Sequence, residues 1–310
     1  MTGKLILNTT GHNTSSIATA KLEMASLNLY IILFTLFVTP NILMILALFK
    51  TSDRHMKISQ KLFIGLCTCD IAMLTCYFLT RFATNRKKSK LTIAGLTILL
   101  IGNYFQFLAV QIFLLITILR YWSIVKPLSR KIRPKVIFKM TLGSFVTSLY
   151  YPVGYLVVFE FQLIHVSGLN FERVAGSIFM IFVLPIAVIN CLSYFHLRRK
   201  SAERSRTEAL GSNTSAVIIE EEKSRQRKLR SVNTLCIITF FYVVCCFPNT
   251  IRMMCGLVTH MGDHKVSIVV ILAIMYLSNS SINSIVYIVR TKNIRLFYDR
   301  LILKYIVRLL

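Results

Sequence analysis

Long apolar stretches alternate with short polar ones along almost the whole chain, and each apolar stretch has the length of a membrane span. A helix needs about 20 mostly apolar residues to cross a bilayer. Its backbone groups must pair within the segment, because lipid offers them no partner. The pattern therefore predicts an all-α membrane protein, a seven-transmembrane helix bundle, with spans at about 27–49, 60–81, 92–119, 136–159, 174–197, 232–256 and 266–289.

Beyond residue 290 the apolar positions follow a different rhythm. Charged residues fall largely on one side, and the apolar residues recur three and four positions apart on the other: Ile294, Phe297, Tyr298, Leu301 and Ile302. This spacing is typical of an amphipathic helix that lies at a membrane surface. The predicted parts of the chain are an N-terminal tail at 1–26, a seven-transmembrane domain at 27–290, and an amphipathic helix with a short tail at 291–310.

The segment between spans five and six is charged and lacks a long apolar run. Its second half, "EEEKSRQRKLR" at 220–230, places Glu four residues before Lys or Arg. Such pairs stabilise an exposed helix. We therefore predict that span six continues beyond the membrane as a charged helix.

Apolar residues make up 55% of the chain, charged residues only 16%, and the formal net charge is +25. A nucleic-acid partner would account for the charge but not for the long uncharged spans, so we expect none. Lys and Arg gather in the cytoplasmic loops of membrane proteins. Of the 37 present, 27 fall in the four segments that are cytoplasmic if the N-terminus is outside. Glycosylation sequons at Asn8 and Asn13 agree with this orientation, so we predict a plasma-membrane protein with an extracellular N-terminus.

Several polar side chains interrupt the spans where lipid would not solvate them. Asp70 lies in the middle of span two, where a charge costs about 2.5–3.5 kcal/mol on insertion scales. The expected partners of Asp70 are polar residues of spans one and seven, all turned inward: Asn41, Asn279, Ser280 and Asn283. Alternatively, the amides only join helices. Both interpretations place them inside the bundle.

Two prolines and an arginine mark further special positions. Pro185 in span five and Pro248 in span six each remove a backbone hydrogen bond, so we expect kinks there. Arg120 ends span three. It either contributes to function or only extends to the lipid headgroups.

In chain order, these positions resemble the motifs of a rhodopsin-like G-protein-coupled receptor. Asn41 matches the asparagine of span one, and "LCTCD", which ends at Asp70, matches Leu-x-x-x-Asp of span two. "LRYWSIVKPL" resembles Asp-Arg-Tyr with its downstream Pro-Leu. "YVVCCFP" resembles Phe-x-x-Cys-Trp-x-Pro, and "NSSINSIVY" resembles Asn-Ser-x-x-Asn-Pro-x-x-Tyr. The resemblance covers about 27–303, which includes all seven spans and the short helix.

The resemblance implies that an extracellular ligand favours a state in which helix six moves outward, and that the opened cleft activates a heterotrimeric G protein. The positions implied in activation and coupling are Arg120, Tyr121, Pro127, Pro185, Tyr242, Cys246, Pro248 and Tyr287. The family binds sodium beside the span-two aspartate, so a sodium ion near Asp70 is an expectation here. We expect no other cofactor and no enzymatic activity, because no catalytic set or phosphate loop is visible.

The chain also departs from the family pattern. Leu119 replaces the acidic residue before the arginine, so we expect weaker restraint of the resting state and raised basal signalling. Cys246 and Ser284 replace the tryptophan of span six and the proline of span seven. Gly95 stands in place of the disulfide cysteine of span three, and Ala109 replaces a hydroxyl residue near the sodium position. Two alternatives therefore stay open: a non-coupling seven-helix scaffold or partner subunit and, less favoured, a transporter or channel.

Two positions bear on the ligand. Gly102 stands where amine receptors carry an aspartate, and Leu277 stands where opsins carry the retinal lysine. The resemblance therefore argues against a biogenic amine and against retinal. Two arginines favour a ligand with an anionic or carboxylate group, unless they only extend to the headgroups. The candidate ligand-binding residues are Arg81, Gly102, Asn103, Gln106, Asn249 and Arg252.

Overall fold

The computed structural model describes residues 9–51, 58–85, 93–125, 134–150, 152–154, 168–208, 215–255 and 265–309. Nearly all residues in these ranges are helical and none of them forms a strand, which confirms the all-α fold class. The helices are α1 (Thr9–Thr51), α2 (Ile58–Asn85), α3 (Ile93–Val125), α4 (Pro134–Ser148), α5 (Gly168–Glu208), α6 (Ser215–Cys255), α7 (Lys265–Arg290) and α8 (Lys292–Leu309).

Helices α1 to α7 correspond to the seven predicted spans, although their ends differ. α1 begins well before residue 27, and α5 continues past residue 197. α6 begins at Ser215, which confirms the helical extension predicted for 220–230. Within the described residues, five segments are long and apolar enough to cross a bilayer: Leu27–Thr51, Ile58–Thr80, Ala94–Ser123, Ile178–Arg199 and Val232–Ile251.

The helices pack mainly on their neighbours in the chain. α2 lies against α1 and α3, α6 lies against α5 and α7, and the contact of α1 with α7 closes the bundle. Except between α4 and α5, at most nine residues separate consecutive helices of the bundle, and such neighbours run in opposite directions. α3 also contacts α4 and α5, and it carries some of the most buried side chains, Leu108, Phe113 and Ile116. We call the end of the bundle at which α3 finishes the Arg120 end, and the opposite end the far end.

The surface of the bundle is apolar over most helices. Large apolar side chains are exposed on α1, α4, α5 and α6, among them Ile32, Phe138, Ile181, Phe195 and Phe240. A patch of this extent would be an association surface in water, whereas in a bilayer it faces lipid. Asp70 and several asparagines of the spans lie in the interior instead: Asn41, Asn190, Asn279 and Asn283.

The short helix α8 packs its apolar face on α1 and α7. Ile294 is 1% exposed, and Phe297 and Tyr298 pack against the same core, while Asp299 and Arg300 are exposed. The Tyr298 hydroxyl donates to the backbone carbonyl of Leu43 in α1, and burial raises the pKa of Tyr298 to about 12. The amphipathic character predicted for this segment is therefore confirmed.

Candidate functional site

A cluster of polar side chains lies where α2 and α7 face each other inside the bundle. Asp70 of α2 is 5% exposed and lies beside Ser280 and Asn283 of α7. Asn279, one helical turn before Asn283, is also buried. The spacing of these α7 residues puts them on one helix face, and the absence of water in the membrane turns that face inward. The structure thus brings together four of the five residues that were expected to cluster.

Each of these four side chains has a buried oxygen that no hydrogen bond among the described residues satisfies: Asp70 Oδ2, Asn279 Oδ1, Ser280 Oγ and Asn283 Oδ1. All four residues line a cavity of about 20 Å³, counted as the space open to the centre of a water molecule. Such a space admits a water molecule or a small ion. Hard cations are held by carboxylate, amide and hydroxyl oxygens. The arrangement therefore fits a small cation, for which Asp70 supplies the negative charge.

α3 contributes both polar and apolar side chains to the wall of this cavity. Gln106 provides a polar group, whereas Ala109 and Phe113 are apolar. Ala109 has no side-chain oxygen to offer, so the unsatisfied oxygens available to a cation come from α2 and α7. The departure noted at this position in the sequence thus has a direct structural consequence.

The fifth residue, Asn41, makes its hydrogen bonds elsewhere than to Asp70. Its Nδ2 donates to the backbone carbonyls of Phe37 at 3.1 Å and Ser280 at 3.3 Å. Its Oδ1 accepts from the Ser284 hydroxyl at 2.6 Å. Because that hydroxyl is a donor, the Cys67 thiol, 3.4 Å away, donates to Ser284 Oγ. These bonds join α1, α2 and α7 in one network.

Sequence reasoning treated Ser284 only as a departure from the family's proline. In the structure its side chain is fully buried and replaces the missing proline with a bond between helices. The sequence offered one sign of this role, since Ser284 is a second polar residue beside Asn283 in an apolar span. Nothing in the linear pattern indicated that Asn41 was its partner.

The opposite side of the cavity belongs to α6. Tyr242 and Cys246, one turn apart, both line it and are 5% and 3% exposed. The ring of Tyr242 stacks on Phe179 of α5 at 6.3 Å between centroids and lies 5.7 Å from that of Phe113 in α3. α6 therefore meets α3 and α5 through one aromatic side chain at the level of the polar cluster. Sequence reasoning missed the contributions of Phe113 and Phe179.

The prolines lie within continuous helices. α5 continues from Gly168 through Pro185, and α6 continues through Pro248. Pro185 is exposed toward lipid, whereas Pro248 is half-buried, two residues after Cys246. A bend at Pro248 would thus move the first half of α6, which lies at the Arg120 end. The kinks themselves stay predictions.

At the Arg120 end, α3 presents half-buried Arg120 and Tyr121, and half-buried Leu119 packs against the apolar core. Tyr287 of α7 lies near this end, with its ring 4.0 Å from that of Phe63 in α2. Pro127 lies outside the described residues. Arg120, Tyr121 and Tyr287 therefore lie at one end of the bundle, while Tyr242 and Cys246 lie deeper, beside the polar cavity.

A family model described as "7 transmembrane receptor (rhodopsin family)" matches residues 40–287, which is most of the chain and runs from just before Asn41 to Tyr287. The chain belongs to the rhodopsin family of seven-transmembrane receptors. The resemblance stated from the motifs is therefore confirmed, and with it the seven-transmembrane bundle. Among curated proteins, none matches the chain closely enough to indicate kinship.

Membership of this family makes the chain a multi-pass membrane receptor and not an enzyme. It also gives the two ends of the bundle their general meaning. Rhodopsin-family receptors in general respond to a ligand at one end of the bundle and act on G proteins at the other.

Toward the far end of the receptor, two of the candidate ligand-binding residues share one partner. The hydroxyl of Tyr77 in α2 donates to Asn103 Oδ1 at 2.6 Å and to Gln106 Oε1 at 3.1 Å. All three side chains are half-buried. Sequence reasoning missed Tyr77, although a tyrosine inside an apolar span needs a partner for its hydroxyl. Because Gln106 also lines the polar cavity, the two regions of the receptor meet at this side chain.

The other candidates are placed less directly. Asn249 is half-buried in α6, next to Pro248, and it has a contact of its own within the bundle. Arg81 and Arg252 belong to α2 and α6 by backbone position, and their side chains lie outside the described part of the structure. The contribution of these two arginines to ligand binding therefore stays a prediction.

Gly102 faces α2 rather than an open pocket. A Cβ atom at this position would lie 3.0 Å from Cys76 Cβ and 3.9 Å from the backbone oxygen of Met73. The missing side chain is therefore what allows α3 to approach α2 so closely. Gly102 therefore contributes to the packing of α3 on α2, and its place among the ligand contacts stays a prediction.

Gly102→Ala is expected to destabilise the receptor, because an added methyl group must push α2 and α3 apart. Overpacking of this kind costs about 1–3 kcal/mol, more than the gain of up to about 1 kcal/mol when Ala replaces Gly in a helix. Thermal unfolding of the purified receptor in lipid nanodiscs measures the effect. Gly143→Ala is the matched control, since nothing lies within 4 Å of its Cβ position. Equal unfolding midpoints for both variants would contradict the close approach.

Proposed function

We propose that this receptor binds an extracellular ligand among the far-end halves of α2, α3, α6 and α7 and activates a heterotrimeric G protein at the Arg120 end. The main support for this proposal is one cavity that the ligand side of α3 and the middle of α6 both line. Gln106 on the ligand side and Tyr242 and Cys246 on α6 line the same space. A ligand that changes the position of Gln106 therefore acts directly on the cavity wall formed by α6.

The movement follows from the placement of Pro248. A bend at this residue moves the half of α6 on the Arg120 side away from the bundle, because the backbone hydrogen bond that would oppose bending is missing. The resulting cleft at the Arg120 end exposes Arg120 and Tyr121 to the G protein. A ligand stabilises this state only to the extent that it binds it better than the closed state.

The ligand class follows from the hydrogen bonds that are already in use. Tyr77 occupies one oxygen each of Asn103 and Gln106, so the NH₂ groups of both amides are the parts available to a ligand. Such donors favour a ligand with a carbonyl or carboxylate oxygen. Arg81 and Arg252 would add positive charge. A biogenic amine and retinal remain disfavoured.

For the membrane topology we propose a plasma-membrane receptor with the N-terminus outside, glycosylated at Asn8 and Asn13. The distribution of Lys and Arg supports this orientation. It places the basic extensions of α5 and α6 in the cytoplasm, beside the anionic inner leaflet and the G protein.

A sodium ion in the polar cavity is the second part of the proposal. Asp70 would supply the charge, and Asn279, Ser280 and Asn283 would supply neutral oxygens that are otherwise unsatisfied. The bound ion would compensate the buried carboxylate and hold α2 and α7 together. It would therefore favour the arrangement of helices described above.

Arg120→Ala is expected to reduce ligand-independent G-protein activation to the background of cells that lack the receptor. The guanidinium group at the floor of the cleft would be lost, while the fold would change little because Arg120 is only half-buried. A G-protein dissociation assay with a promiscuous Gα subunit, at matched surface level, measures this. Ser123→Ala, at the exposed end of the same helix, is the control and is expected to signal normally.

Two other outcomes of this assay would contradict the proposal. Unchanged basal activation in Arg120→Ala would rule out the coupling role of this end of the bundle. Background signalling by the wild type with every Gα subunit would favour the scaffold, to which the replacements at Leu119, Cys246 and Ser284 also point.

A further inference from the structure

Two polar side chains meet between α5 and α6, away from the polar cavity. Asn190 Nδ2 donates to Thr239 Oγ1 at 2.6 Å, and the two residues are 2% and 6% exposed. One turn closer to the Arg120 end, the Cys236 thiol contacts the backbone carbonyl of Asn190 at 3.8 Å. α5 and α6 are thus joined by a buried side-chain hydrogen bond and a weaker thiol contact.

The position of this contact relative to the prolines is informative. Asn190 follows Pro185 in α5, and Thr239 precedes Pro248 in α6, so the contact lies on the Arg120 side of both prolines. Beyond it the interface is apolar, built on Leu197 and Val232. Apolar contacts have no preferred direction and allow helices to slide. A hydrogen bond in a site without water fixes their register.

α6 is attached unevenly to its neighbours. It packs extensively on α5 and α7 but has little contact with α3. A movement of α6 away from α3 therefore breaks few contacts between those two helices, whereas separation of α6 from α5 must break the Asn190–Thr239 bond. The bond therefore favours a motion in which the Arg120-side half of α5 follows that of α6.

We propose that Asn190 and Thr239 are positioning residues that latch α5 to α6, so that the Arg120-side halves of the two helices move as one unit. This inference rests on the proposed outward movement of α6. Its consequence is that the extension of α5, which reaches Glu208, travels with α6. The surface offered to the G protein is then a fixed pair of helices rather than α6 alone.

Distances between spin labels test the latch in the full-length receptor in nanodiscs. Labels attached through noncanonical amino acids at positions 199 and 230 report on α5 against α6, and a label at position 61 on α2 provides a reference; all three side chains are exposed. The 199–230 distance distribution is expected to be narrow in the wild type and at least twice as broad in Asn190→Leu and Thr239→Val. The 61–230 distribution is expected to be broad in all of them.

Two further variants separate the latch from a general loss of packing. Thr234→Val removes the same atoms from the same helix, but the Thr234 hydroxyl bonds only to Arg230 O of its own helix, at 2.8 Å. Thr239→Ser keeps the hydroxyl group. Both are expected to retain the narrow 199–230 distribution. A broad distribution in the wild type, or equal widths in all variants, would overturn the latch.

The same measurement distinguishes failure of the latch from failure of the proposed function. A narrow 61–230 distribution in every protein would refute the movement of α6, and the 199–230 widths would still decide whether the two helices are joined.

Basal signalling adds an independent readout. Each single variant is expected to change it about three- to sixteen-fold, which corresponds to one hydrogen bond inside a membrane. The double variant should change it no further, and additive effects would count against a direct bond.

Discussion

Asn41→Ala is expected to destabilise the receptor by about 2–4 kcal/mol, more than the other substitutions that we consider. Asn41 is fully buried and makes three hydrogen bonds, two to backbone carbonyls and one to Ser284. Its truncation leaves a small cavity and deprives the Ser284 hydroxyl of its acceptor, and an unsatisfied buried group costs about 1–3 kcal/mol. The midpoint of thermal unfolding in nanodiscs should fall by about 5–10 °C.

A pair of serines on α7 provides the matched comparison for this network. Ser284→Ala removes the bond to Asn41 and the weaker contact with the Cys67 thiol, and it should cost about 0.6–1.7 kcal/mol, as for hydrogen bonds between membrane helices. The hydroxyl of Ser281 bonds to Ser278 O of its own helix at 2.9 Å, so Ser281→Ala should cost less. If the two serine variants unfold at the same temperature, Ser284 does not join α7 to α1.

Sodium is expected to raise the unfolding temperature of the wild-type receptor in a saturable way, and Asp70→Asn is expected to abolish that response. Asparagine keeps the shape of the side chain but removes the only negative charge among the residues that line the cavity. At a sodium concentration about ten times the dissociation constant, the stabilisation amounts to about 1.4 kcal/mol. Asp70→Asn should also be at least as stable as the wild type without sodium, because it removes an uncompensated buried charge.

The salt titration needs two controls. N-methylglucamine chloride at equal ionic strength separates ion binding from screening. Ser280→Ala removes one of the neutral oxygens and should weaken the response without abolishing it, whereas Ser281→Ala should leave it unchanged. A full sodium response in Asp70→Asn would place the ion elsewhere, and equal responses to both salts in the wild type would argue against a bound ion.

The polar cluster shows how far an argument from the linear pattern extends. The inward direction of Asp70 and of the α7 amides was predictable, because lipid penalises the alternative by several kcal/mol. Their pairing was not. Asn41 was expected beside Asp70, but it bonds to Ser284 and to the backbone of Ser280. The cost of exposing a polar group to lipid determines which face of a helix is buried, but it does not determine which residue of a neighbouring helix becomes the partner.

Gly102 is a second example of the same limit. Its place along α3 was predictable from the resemblance to amine receptors, and that place suggested a ligand contact. The rotation of α3 about its own axis instead turns the missing side chain toward Cys76. Tyr77, which fixes the orientation of Asn103 and Gln106, was overlooked because a lone tyrosine in an apolar span carries no motif.

The number of helices, their approximate ends, the amphipathic α8 and the family itself follow from the amino-acid order, since hydrophobicity and motif spacing are local along the chain. Three features arise only once the helices are packed: the unsatisfied oxygens around the cavity, the Asn41–Ser284 network and the Asn190–Thr239 bond. Each of these depends on helix rotations of a few tens of degrees and on distances below 4 Å between residues far apart in the chain. Those quantities are set by the packing of all the helices together.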